Sequence, residues 1–110
     1  MNSYEFTIKA KPNGIQYGEI GYNFFCAREV LREGKPVGEY HIKLNDNSSV
    51  QSAVTYFQNQ LRECEVGLVD PDGLLNLEYP IYIIIKDKMV LNDIANIFHE
   101  IDNELSKKGE

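Results

Sequence analysis

His41, His99, Cys26 and Cys64 are the side chains of this sequence best suited to nucleophilic, acid–base or metal chemistry near neutral pH. A thiol beside an imidazole would make a nucleophile pair, and four such ligands would hold zinc. The spacing supports neither arrangement. His41 and His99 fall on different expected elements, and the cysteines lack C-x-x-C spacing, so both thiols read as small core residues. His99 and Asp102, three apart on an expected helix, read as a surface contact. Asp70-Pro71-Asp72-Gly73 opens like a calcium loop, but Ile81 stands where the closing Glu is needed, so the segment reads as a turn. Gly18 and Gly21 are not followed by the Lys-Ser/Thr pair of a phosphate cradle. Glu63 with Glu65, and Asp102 with Glu104, read as solvated acids. No catalytic set, metal site or cofactor is expected.

Charge is more informative. The 110 residues carry a net charge of -6, with a sequence pI of about 4.9. The excess is uneven: Glu63, Glu65, Asp70, Asp72, Glu78, Asp87, Asp93, Glu100, Asp102 and Glu104 face only Lys86 and Lys88 across that half of the chain. Such a field repels nucleic-acid phosphates and anionic membranes and steers basic proteins into encounter. Direct nucleic-acid and membrane binding are therefore not expected. The longest apolar run, around Ile81 to Ile85, is too short to span a bilayer. The stretch from Met1 to Phe6 has neither the basic start nor the apolar core of a secretory signal, so a cytoplasmic location is the expectation.

These residues need elements to position them, and 110 residues are enough for one domain. Ser3 to Ala10 alternates apolar and polar residues, Lys11-Pro12-Asn13-Gly14 is a hairpin turn, and Ile15 to Tyr22 resumes an extended pattern. Asn23 to Glu33 fits either a strand or a short helix, with strand favoured by the Gly34-Lys35-Pro36 loop that precedes the alternating run Glu39 to Leu44. Val50, Val54, Phe57 and Leu61 recur at helical spacing after a polar capping segment, predicting a helix from Ser49 to Cys64. The class of 64–78 is open. Tyr79 to Lys86 reads as a strand buried on both faces, and Leu91, Ile94, Phe98, Ile101 and Leu105 form the stripe of a closing helix. The expected fold is α+β, an antiparallel sheet of about four to five strands with two helices in the order β-β-β-α-(β)-β-α.

Two surfaces suit a protein partner. Glu63, Glu65, Asp70, Asp72 and Glu78 rim the apolar residues Leu74 and Leu75, while Asp93, Glu100 and Glu104 lie off the apolar stripe of the last helix. The seven tyrosines, without any tryptophan, are core-edge residues or interface anchors. In size, acidity and expected fold the chain resembles the small acidic α+β immunity proteins that bacteria pair with toxins, including those of contact-dependent growth inhibition systems. The resemblance is one of overall character and rests on no shared motif. It implies a non-enzymatic protein that neutralises a basic cognate toxin; charge favours a nuclease as that toxin, and charge and apolar patterning, not the resemblance, single out the ten residues above as the contact candidates. A general interaction module, such as a secretion chaperone or assembly factor, is the alternative. A third reading is a small enzyme with a pocket of Cys26, Tyr40 and His41.

Overall fold

The computed structural model describes residues 6–10, 15–86 and 91–108. It is an α+β fold: β1 (Phe6–Ala10), β2 (Ile15–Gly21), β3 (Phe25–Arg32), β4 (Lys35–Leu44), α1 (Val50–Gln60), β5 (Cys64–Leu68), β6 (Ile81–Ile85) and α2 (Leu91–Lys108). The strands form one six-stranded sheet in the order β1-β2-β3-β4-β6-β5, antiparallel throughout. The ambiguous stretch is a strand. It is joined to β4 by Glu33 and Gly34, both at positive φ (53° and 78°), the backbone of a two-residue hairpin turn. The expected turn at 11–14 lies outside the described residues, although β1 and β2 pair as the hairpin requires.

β4 starts before Glu39 and is bulged, which disguised its first half as loop. Its register against β3 shifts between Glu29 and Leu31, and Gly38 sits there at φ 79°, a conformation that favours glycine. Ser49 caps α1, its hydroxyl accepting the Ser52 N–H. The helix is shorter than its apolar spacing predicts and stops at Gln60, because Cys64 already belongs to β5. The open segment thus contains an edge strand, followed by the loop 69–80 that leads into β6.

Alternation then sorts side chains onto two faces. Phe25, Ala27, Tyr40, Ile42, Val66, Ile81 and Ile83 point to one side, where Val54 and Phe57 of α1, its C-terminal cap Leu61, and Ile94, Phe98 and Ile101 of α2 bury them. Phe98 sits edge-on to Tyr22, Phe25 and Tyr40 at the centre of this core. Asp102, read as a surface residue from the sequence, is fully buried there; its Oδ1 accepts the Phe24 N–H at 3.0 Å and ties α2 to the start of β3. The other face carries Tyr17, Glu19, Arg28, His41, Lys43, Glu65, Tyr82 and Ile84, none of them buried, together with the buried Val30, and neither described helix packs on it. β6 is consequently covered on one side, not both. Its outward Tyr82 satisfies its hydroxyl on Glu65 at 3.0 Å.

Candidate functional site: the 69–80 loop

The strands β5 and β6 are joined by twelve residues, Val69 to Pro80, a long connection for an antiparallel pair. Its ends are clamped by the Val69 N–H, which donates to the Pro80 carbonyl at 2.8 Å. Within it, the Asp70 carbonyl accepts the Gly73 N–H at 3.1 Å, and the Asp70 carboxylate accepts the Leu75 N–H at 2.6 Å. Gly73 at φ 70° and Asn76 at φ 49° let the chain reverse twice. Asp-Pro-Asp-Gly therefore forms the turn expected of it, with Asp70 holding the backbone.

The loop folds back across the open face. Tyr79 is buried, and the Arg28 guanidinium of β3 lies 3.9 Å from its ring centroid while also standing 5.1 Å from Tyr17. Lys43 of β4 lies 5.3 Å from the same ring and binds Glu78 at 3.0 Å. That hydrogen bond raises the Lys43 pKa, outweighing its slight desolvation. Burial, followed by a hydrogen bond to Glu19, pushes the Tyr79 phenol up. Arg28 also approaches Glu19 at 3.9 Å, so β2, β3 and β4 all contribute to holding Tyr79.

With its root fixed, the loop presents its apolar residues to solvent. Leu74 is 83% and Leu75 70% exposed, with Leu77 and Val69 partly exposed beside them in sequence. Asp70, Asp72 and Glu78 lie on the same loop. Exposing leucine forgoes roughly 1.5–3 kcal/mol per side chain relative to burial, so two adjacent exposed leucines set this loop apart from the buried core.

The ten partner-binding candidates divide into three places. Asp70, Asp72, Leu74, Leu75 and Glu78 come together on this loop. Glu63, in the turn before β5, and Glu65, on the open face, stand at or near the sheet edge; Glu65 is engaged by the Tyr82 hydroxyl and by Lys86 at 3.6 Å. The ring of Tyr82 reaches across Gly67, where a Cβ would meet its hydroxyl at 2.8 Å. Asp93, Glu100 and Glu104 belong to α2, which packs on the helix-covered face, so the two acidic surfaces read from the sequence are carried by separate elements. Glu104 accepts the Tyr56 hydroxyl at 2.7 Å, and burial together with that bond pushes the Tyr56 pKa up to about 12. Asp93 stands in the first turn of α2, where a carboxylate favours the helix dipole.

The enzyme pocket read from Cys26, Tyr40 and His41 does not assemble. Tyr40 points into the core and donates to Glu29 at 2.8 Å, whereas Cys26 and His41 lie on the open face, with His41 Nε2 2.8 Å from Glu39. The Tyr40 phenol is pushed far above its ordinary range, by burial first and Glu29 second. Both cysteines are free thiols; burial raises the Cys64 pKa and makes it a poorer nucleophile. Among the described residues no cluster of His, Cys, Asp and Glu could hold a metal ion, and no described helix is long and apolar enough to cross a membrane. A cavity of about 410 Å³ opens on the helix side, floored by Phe24, Leu44, Phe57 and Leu105 and rimmed by Asp46 and Ser49.

Arg28, Lys43 and Tyr79 are the residues that sequence reading missed. The β3–β4 register places both cations on one face, but nothing in the linear order showed that register or that Tyr79 folds back over them. Compared with protein-family models, curated proteins and solved structures, the chain matches none.

Proposed function

We propose that this chain is a non-enzymatic inhibitor of the immunity type, which binds a basic protein toxin in the cytoplasm of the producing cell through the 69–80 loop. The observation that carries this reading is a loop pinned at its root that holds Leu74 and Leu75 in solvent beside Asp70, Asp72 and Glu78. Apolar anchors supply burial and the surrounding carboxylates supply attraction to a basic surface. Pinning the loop beforehand reduces the ordering entropy lost on binding. A toxin that acts on nucleic acid is the partner whose charge fits best, since a surface that grips phosphates is positive. The net charge of -6 supports the same choice by accelerating encounter.

The test is affinity capture of the tagged protein from its native cell at low and high salt, followed by reconstitution with the purified captured protein. The reading expects one basic protein, bound one to one, whose activity the chain suppresses and whose association rate falls as salt rises. Recovery of many unrelated proteins would instead favour a chaperone or assembly factor. Recovery of the chain alone would favour self-association through the leucines.

A further inference from the structure

The loop's exposed end, Leu74 and Leu75, and its buried root, Tyr79, are different residues of one connection. Tyr79 is buried although it belongs to a loop, and its neighbours are on the open face: Arg28 of β3 at 3.9 Å from the ring centroid, Lys43 of β4 at 5.3 Å and bound to Glu78 at 3.0 Å, and Glu19 of β2 hydrogen-bonded to its phenol. Arg28 in turn stands 5.1 Å from the Tyr17 ring, so the guanidinium has aromatic contacts from both β2 and the loop. The Arg28 Nε is buried with no hydrogen-bond partner. Arg28 thus gives up solvation of one donor while it is held against aromatic rings, an arrangement suited to holding Tyr79 in place.

We propose that Arg28 is a positioning residue for the partner-binding loop, fixing residues 69–80 against the open face through Tyr79 without itself meeting the partner. The proposal rests on the inhibitor reading for its consequence in binding, but the latch itself can be observed in the isolated protein. Replacing Arg28 by Met keeps an unbranched apolar stem and removes the cation. Arg28→Lys keeps a cation within reach of the ring but loses the planar stack.

The experiment is amide hydrogen exchange on the full chain without any partner, comparing wild type, Arg28→Met, Arg28→Lys and Tyr79→Leu. In Arg28→Met and Tyr79→Leu the Val69 amide, which donates to Pro80 next to Tyr79, should exchange at least about tenfold faster while the Ala27 and Ile42 amides keep their protection. Arg28→Lys should recover much of the loop's protection. Unchanged exchange at Val69 in a folded Arg28→Met protein would overturn the proposal. So would loss of protection at Ala27 and Ile42 in both Arg28→Met and Tyr79→Leu, because the contact would then belong to the core and not to a separable latch.

With the captured partner in hand, Arg28→Met should weaken binding several-fold. If Leu74→Ser and Leu75→Ser abolish binding while Arg28→Met leaves it unchanged, the latch fails as a determinant of binding and the inhibitor reading stands. If the loop loosens in Arg28→Met but no basic partner binds the wild type, the latch stands and the inhibitor reading fails.

Discussion

Helix α2 and the 69–80 loop are both acidic, yet they lie on opposite sides of the sheet and treat their apolar residues in opposite ways. The helix buries Ile94, Phe98 and Ile101 completely, leaving Asp93, Glu100 and Glu104 on the outward side of an element whose hydrophobic surface is already covered. The loop buries only its root at Tyr79 and turns Leu74 and Leu75 outward. Acidity alone therefore does not locate a binding surface in this molecule. A carboxylate beside covered apolar surface contributes solubility and a diffuse field, whereas one beside exposed leucine can become the rim of an interface.

The comparison is broken most severely at the helix. Phe98→Ala would open a cavity among Tyr22, Phe25 and Tyr40 and should destabilise the fold by about 3–5 kcal/mol, read from the midpoint of urea unfolding. Next in size is the double change Leu74→Ser and Leu75→Ser. It should leave the urea midpoint unchanged and weaken the captured partner by about a hundredfold, since anchors of this kind are each worth about 1–2 kcal/mol or more on truncation. Measuring both quantities on both proteins separates a residue that makes the fold from one that uses it.

Smaller effects sharpen the contrast between the two sets of carboxylates. Asp72→Asn, in the loop rim, should slow association with a basic partner by about two- to fivefold at low salt and have little effect at high salt, measured by stopped-flow mixing. Smallest of all, Asp93→Asn with Glu100→Gln on α2 should change the dissociation constant less than about twofold and stability by at most about 0.5 kcal/mol. A large loss of binding from the helix pair would move the interface to the other side of the sheet.

Much of this architecture was legible in the residues because alternation and helical spacing report burial directly. The alternating run Glu39 to Leu44 and the stripe Ile94, Phe98, Ile101 pointed to the core that the structure contains. Where local pattern and tertiary context diverged, the pattern misled. Gly38 and the β3–β4 register shift made half a strand look like loop, and the stretch Tyr79 to Lys86 looked like a strand buried on both faces although β6 has one face open. Asp102 looked like a helix-surface acid because its partner, the Phe24 N–H, is 78 residues away. The loop's leucines and acids were visible in the sequence, but the anchoring of Tyr79 over Arg28 was not. That contact depends on a reversal of the chain between strands, which periodicity does not encode.

The most direct measurement is a side-by-side titration of the purified captured partner against three forms of the chain: wild type, Leu74→Ser with Leu75→Ser, and Asp93→Asn with Glu100→Gln, with folding of each confirmed beforehand. The account predicts that the leucine variant loses about a hundredfold in affinity while the helix variant binds as wild type does. Undiminished binding by the leucine variant would contradict it, whatever the helix variant does.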